Sequence, residues 1–137
     1  MHNNVPEAVL LAHDKAYGSD SILLRSGEHS WTSYNHGRIE VLRSLRVKAQ
    51  AGAVLLGRWL LLRGSSGRME HARCLSQTPS SQTIRCFYDP TIFWQGARDW
   101  RLVNCDIRSA GSVAALASQE SQVVLVRCSL GGALQRR

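Results

Sequence analysis

A four-residue phrase recurs along the chain: two mostly apolar residues, a basic or amide residue, then a small one. It reads Leu23-Leu24-Arg25-Ser26, Leu61-Leu62-Arg63-Gly64, Thr83-Ile84-Arg85-Cys86, Leu102-Val103-Asn104-Cys105 and Leu125-Val126-Arg127-Cys128. A looser copy lies at Val41-Leu42-Arg43-Ser44 or Leu45-Arg46-Val47. A strand-like phrase returning roughly every 17 to 23 residues is the sequence form of a coiled, one-dimensional fold. In such a fold each repeat packs only on its neighbours.

The rest of the chain agrees with a solenoid of strands. Segments around each copy are short and rich in Val, Ile, Leu and Cys. Gly and Ser punctuate them at Gly27, Gly52, Gly64 to Gly67, Gly96, Gly111 and Gly131-Gly132. Residues 65–73 and 77–82 read as loops. No amphipathic helix separates the strands, which argues against a βαβ sheet. Leu and Asn are also spaced too loosely for leucine-rich repeats. Residues 6–17 are the helical exception. Val9, Leu10, Ala12, His13 and Ala16 share a face, Pro6 suits a first helical turn and Gly18 ends the pattern.

Period-two alternation assigns an inside and an outside. It places Val103, Cys105 and Ile107 inward, with Ile84 and Cys86, and in the last copy Val124, Val126, Cys128 and Leu130. Arg25, Arg63, Arg85, Asn104 and Arg127 then form an outward column, with Arg43 or Arg46 on the ambiguous rung. If the coils stack at the parallel-strand spacing of about 4.8 Å, this column is a basic stripe along one sheet.

Charge bears on partners. A net charge of +7 favours an acidic protein surface, an anionic polymer or nucleic acid. The longest apolar run, residues 53–62, is about half the roughly 20 residues a membrane span needs, so no span is expected. No signal peptide is visible at the start. The cysteines Cys86, Cys105 and Cys128 occupy the same place in the phrase, which suits reduced, inward-facing thiols beside Cys74. A reducing intracellular compartment, cytoplasm or organelle interior, is the matching expectation.

The opening residues, Glu7-Ala8-Val9 through Gly18-Ser19-Asp20-Ser21-Ile22-Leu23-Leu24 and Ser26-Gly27-Glu28-His29-Ser30-Trp31, resemble the first coil of pectin-lyase-like right-handed parallel β-helices. The stretch Arg38 to Ala49 is similar to the strand phrase that follows in those proteins. Asn104-Cys105-Asp106-Ile107 and Arg127-Cys128-Ser129-Leu130-Gly131-Gly132 resemble coils of their non-enzymatic carbohydrate-binding and sugar-hydrolase-like relatives. The resemblance implies an all-β fold: a short right-handed parallel β-helix of about five to six coils with an N-terminal capping helix. One domain would span residues 1–137, with the cap at 6–17, coils at 20–132 and a tail at 133–137.

Enzymes of that superfamily use clustered carboxylates on one sheet, with calcium in the lyases or as an acid and base pair in the hydrolases. Here Asp106 alone falls on an outward strand position of the repeat, and the equivalent positions hold Ser129, Phe87 and Ser65. His71 and Cys74 lack a second metal-ligating pair. The chain reads as a non-enzyme with no cofactor or metal. It reads as a binding or scaffold module, an accessory subunit docking into a larger protein assembly through its Arg face and an open last coil at Val124, Val126, Cys128 and Leu130. Phe93 and Trp94 are the candidate exposed aromatics for stacking or docking. The alternative is a carbohydrate-binding or degenerate polysaccharide-active protein. Nucleic acid is a third candidate partner, without a motif to support it.

Overall fold

The computed structural model of the protein describes residues 4–14, 20–31, 34, 37–76, 90–118 and 120–136. Among them, helix α1 (Val5–His13) precedes strands β1 (Ser21–Leu24), β2 (Gly27–Ser30), β3 (Arg38–Val41), β4 (Ser44–Ala49), β5 (Ala53–Leu56), β6 (Arg58–Leu62) and β7 (Ser66–Glu70). Then follow β8 (Arg73–Ser76), β9 (Ile92–Gln95), β10 (Trp100–Val103), β11 (Asp106–Ala117), β12 (Val123–Val126) and β13 (Ser129–Arg136). Every strand pairing is parallel, and consecutive strands go to different columns. The result is a right-handed parallel β-solenoid of about four turns.

Sheet A has the order β1-β4-β7-β10-β12. Sheet B has the order β2-β5-β8-β11-β9-β6-β3, with β13 also on β11. Strand β11 pairs with β8 through Asp106–Ser109 and with β9 through Ala115–Ala117. Sheet B therefore folds around a corner, and the solenoid has three sides. A complete turn uses one strand of sheet A and one from each limb of sheet B. That is why there are fewer turns than the phrase count suggests: Arg38–Val41 closes the first turn and Ser44–Ala49 opens the second.

The core is a set of in-register ladders. In sheet A, Ile22, Val47, Met69, Leu102 and Leu125 stack inward. Val47, Met69 and Leu102 are fully buried. In sheet B, His29, Leu55, Cys74, Ile107 and Leu130 make the corresponding column, followed on the next limb by Ile39, Trp59, Ile92 and Ala115. Each inward side chain covers the one beneath it, so apolar area is removed from water rung by rung.

Helix α1 begins with Asn4 as N-cap, whose side chain accepts from the Glu7 backbone N–H at 2.7 Å, and with Pro6 in the first turn. It is shorter at its end than residues 6–17, and residues 15–19 lie outside the described set. Val5, Pro6, Ala8 and Val9 are buried, and the helix packs on β1 and β4. Its last turn is held by Arg43, which donates to the His13 carbonyl at 3.2 Å.

Three expectations change. Residues 65–73, read as a loop, contain β7, because Met69 is the one bulky apolar side chain in Ser66-Gly67-Arg68-Met69-Glu70 and the alternation is nearly silent there. Residues 133–136 continue strand β13 rather than forming a tail. The inward set of the last coil is Val123 and Leu125, then Cys128 and Leu130, all packed against the core. Val124 is 53% exposed, and Val126 shares its outward register. The cause is the corner after sheet A. Arg127 takes the left-handed conformation (φ 51°), which turns the chain through the corner and resets the alternation between β12 and β13. Asn104 (φ 53°) and His71 (φ 57°) do the same on the two rungs before it.

Candidate functional site

Among the described residues, the outer face of sheet A carries the densest exposed charge in register. Ser21, Arg46, Arg68, Arg101 and Val124 are successive partners across β1, β4, β7, β10 and β12. Three arginines thus stand on adjacent strands, about 4.8 Å apart per rung, and all three are exposed. The neighbouring outward ladder reads Leu23, Lys48, Glu70, Val103 and Val126. A groove of about 1150 Å³ runs over this face, lined by Ser21, Leu23, Arg46, Lys48, Arg68 and Arg101, with acidic groups at Asp20, Glu70 and Asp99.

Two of those carboxylates are engaged, those of Glu70 and Asp20. Glu70 pairs with the Arg68 Nε. Asp20 accepts from the Ser44 hydroxyl at 2.5 Å. Asp99 sits at the turn into β10 in the left-handed conformation, and its carbonyl accepts from the Gly67 N–H at 3.2 Å. Arg46, Lys48 and Arg101 have no ion pair to another described residue. In-register cations at this spacing repel one another, and the sheet holds them there because their strands are fixed by the inward ladder of Ile22, Val47, Met69 and Leu102.

The arginines singled out from the phrase do not make one column. Arg25 follows β1, and Asn104 and Arg127 follow β10 and β12, so these stand at the corner between sheet A and the first limb of sheet B. Asn104 and Arg127 are consecutive rungs there, with the Asn104 N–H donating to the Val126 carbonyl at 2.9 Å. Arg63 follows β6 at a different corner and pairs with Glu120. Beside it is a second, open cavity of about 700 Å³ lined by Leu42, Leu62, Arg63, Gln95, Gly96 and Glu120. Arg43 precedes β4 at the equivalent corner one turn earlier. Arg85 and Cys86 lie outside the described residues. Of the phrase arginines, Arg46, the alternative on the ambiguous rung, belongs to the ladder. Arg68 and Arg101 fall outside the phrase altogether. Their signal was the parity of Met69 and Leu102, each preceded by arginine.

The aromatic candidates divide. Trp94 is fully buried between Leu61 and Ala117, and Phe93 beside it faces outward and is half-buried. Trp31, Trp59 and Trp100 are buried as well. Trp31 and Trp59 pack edge to face at 5.3 Å and 79°, and the Trp100 indole N–H donates to the Ser65 hydroxyl at 3.1 Å. All four tryptophans belong to the core, so none lines the groove.

The described cysteines face the interior too. Cys74 and Cys105 are buried and Cys128, on the last turn, is half-buried, all as free thiols. Burial pushes the Cys105 thiol up to about 11 and the Cys74 thiol higher still. His71 is exposed at its corner while Cys74 points inward on β8, so the two do not converge. Among the described residues no group of three or more His, Cys, Asp or Glu side chains could hold a metal ion. Asp106 lies outward between cations, 3.8 Å from Arg73 and 3.2 Å from Arg108. That makes it an ion-paired surface carboxylate. Among the described residues no helix is long and apolar enough to cross a membrane.

Among the described residues, none covers the last turn. Val123, Leu125, Cys128 and Leu130 are only partly buried, whereas Trp100, Leu102, Cys105 and Ile107 one turn earlier are fully covered. Strand β12 pairs with β10 alone among the described residues.

No protein-family model, no curated protein and no solved structure matches the chain.

Proposed function

We propose that the protein is a non-catalytic docking module, an accessory subunit that binds an acidic protein partner across the outer face of sheet A. The observation that carries this reading is the in-register ladder of Arg46, Arg68 and Arg101. A fold gains nothing from stacking three like charges; an anionic partner converts the arrangement into binding energy. The half-covered last turn offers further apolar contact in the same assembly.

A second reading is that of a carbohydrate-binding or degenerate polysaccharide-active β-helix of the pectin-lyase-like type. The elongated groove and the sequence resemblance favour it. Sugar recognition without an aromatic platform is weaker, and the four buried tryptophans leave none in the groove. The same observation weighs against single-stranded nucleic acid, which stacks its bases on aromatic side chains.

The test is binding of a fluorescent poly-glutamate peptide to the whole chain, titrated over a salt series. Arg46→Glu with Arg101→Glu should abolish binding, and the salt slope should flatten. The same two-charge reversal at Arg25 and Arg127 should leave most of the affinity intact. Equal losses from both pairs would mean that net charge, not the ladder, attracts the probe. Incubation with acidic polysaccharides, with and without calcium, addresses the second reading. New reducing or unsaturated ends would overturn the non-catalytic one.

A further inference from the structure

We infer that the acidic partner of sheet A is an amphipathic α-helix lying along the solenoid axis, with carboxylates at i, i+3 or i+4, and i+7. This inference rests on the docking reading above and adds the partner's secondary structure, register and axis.

Spacing makes the first argument. From Arg46 to Arg101 is two rungs, about 9.6 Å at the interstrand distance. A helix rises about 10.5 Å from i to i+7, with i+3 or i+4 between on the same face. An extended strand presents alternate side chains about 6.7 Å apart, so three of them span about 13 Å and outrun the ladder. A helix keeps one carboxylate over each guanidinium; a strand loses register by the third.

Composition of the face makes the second argument. The arginine ladder ends on Val124, which is 53% exposed, beside Val126 on the adjacent outward ladder. Leu23, at the other end of that adjacent ladder, is 60% exposed. The face is therefore basic in its middle and apolar at its margins. A polysaccharide or a nucleic-acid backbone answers the cations but not the valines. An amphipathic helix answers both, with three acids over Arg46, Arg68 and Arg101 and an aliphatic side chain one turn further along, over Val124.

The cations are also available. Glu70 holds Arg68 from the side, while Arg46 and Arg101 have no ion pair to another described residue. A helix entering the groove has no internal carboxylate to displace from those two.

The experiment uses the whole protein and four fluorescent probes of matched net charge. The first is a helix-forming peptide with Glu at i, i+3 and i+7 and Leu one turn beyond. The second has the same composition with the three Glu dispersed around the helix. The third has the first register interrupted by a central Pro. The fourth is a sulfated oligosaccharide. The registered helix should bind at least tenfold more tightly than the other three, and Arg68→Gln should remove that advantage without altering the circular dichroism spectrum. Val124→Ser should weaken the registered peptide alone. Equal binding of the three peptides overturns the helix inference and leaves the docking reading standing. Preference for the sulfated oligosaccharide overturns the inference and the choice of a protein partner together. Binding by none of the four overturns the docking reading itself.

Discussion

Arg68 and Arg101 sit directly opposite one another on adjacent strands of sheet A, in register and both exposed. Like charges facing each other across a ladder destabilise a sheet. Arg101→Gln should therefore raise stability by about 0.5 kcal/mol, and Arg101→Glu by up to about 1 kcal/mol at low salt. Both gains should shrink as salt screens the pair. Urea denaturation at two ionic strengths measures this. Variants that gain stability while losing the acidic partner would mark the ladder as selected for binding; unchanged or lower stability would remove that argument.

Close approach of β4 and β7 depends on Gly67. It has φ 158°, and a Cβ there would lie 1.8 Å from the Leu45 carbonyl oxygen. Gly67→Ala must push two backbones apart in the middle of sheet A. A loss of about 3 kcal/mol or more is expected, in the range reserved for buried steric conflicts. Gly52 (φ 85°) is the control, since a Cβ there meets only Ser26 at 3.7 Å. Gly52→Ala should cost only about 1 to 2 kcal/mol, the backbone penalty alone. Equal losses at the two sites would contradict the packing described for β7.

Thiol reactivity should follow position along the solenoid. The thiolate is the reactive species, and Cys105, with its thiol pushed up to about 11, and Cys74, pushed higher, yield little of it at neutral pH. Cys128 is half-buried on the last turn. Iodoacetamide on the folded protein should label Cys128 before Cys74 and Cys105, which stay protected until unfolding, as read by peptide mass mapping. Prompt labelling of Cys74 would show that the core opens.

His13 links the cap to pH. Burial, and secondarily the Arg43 charge, hold its pKa below the ordinary 6.5. The unfolded chain therefore takes up a proton before the folded one does. The stability His13 contributes is complete above about pH 6.5 and declines as pH falls from there through the lowered folded value. The melting temperature of the native chain should fall more between pH 7.5 and pH 5 than that of His13→Gln. Parallel pH profiles would exclude a titrating His13 at the cap.

The fold was legible because a solenoid repeats its pattern. Cys105 and Ile107 read inward and are buried, whereas Val103, read inward with them, stands on the outward ladder with Glu70 and Val126. The helix at the start was legible from Pro6, but its buried face is Val5, Pro6, Ala8 and Val9, and Leu10, read onto the apolar face, is 60% exposed. What failed was phase. Alternation carried straight through the corner after sheet A put Val124 inside and Leu125 outside, whereas the left-handed residue at Arg127 separates two independent alternations. The site was harder to see for a related reason. Arg68 lies in a strand with a single bulky apolar residue, and Arg101 follows a tryptophan rather than sitting in the phrase. Only the strand register brings Arg46, Arg68 and Arg101 together, and register is a property of how turns stack, not of any one turn.

Resetting the alternation at each corner has an evolutionary consequence. Outward residues of sheet A share neither ladder nor register with those of sheet B, so each side of the prism can drift under its own selection while the interior stays fixed. A new specificity then requires exchanging a few outward side chains on one wall. The same interior could carry entirely different binding surfaces in different lineages.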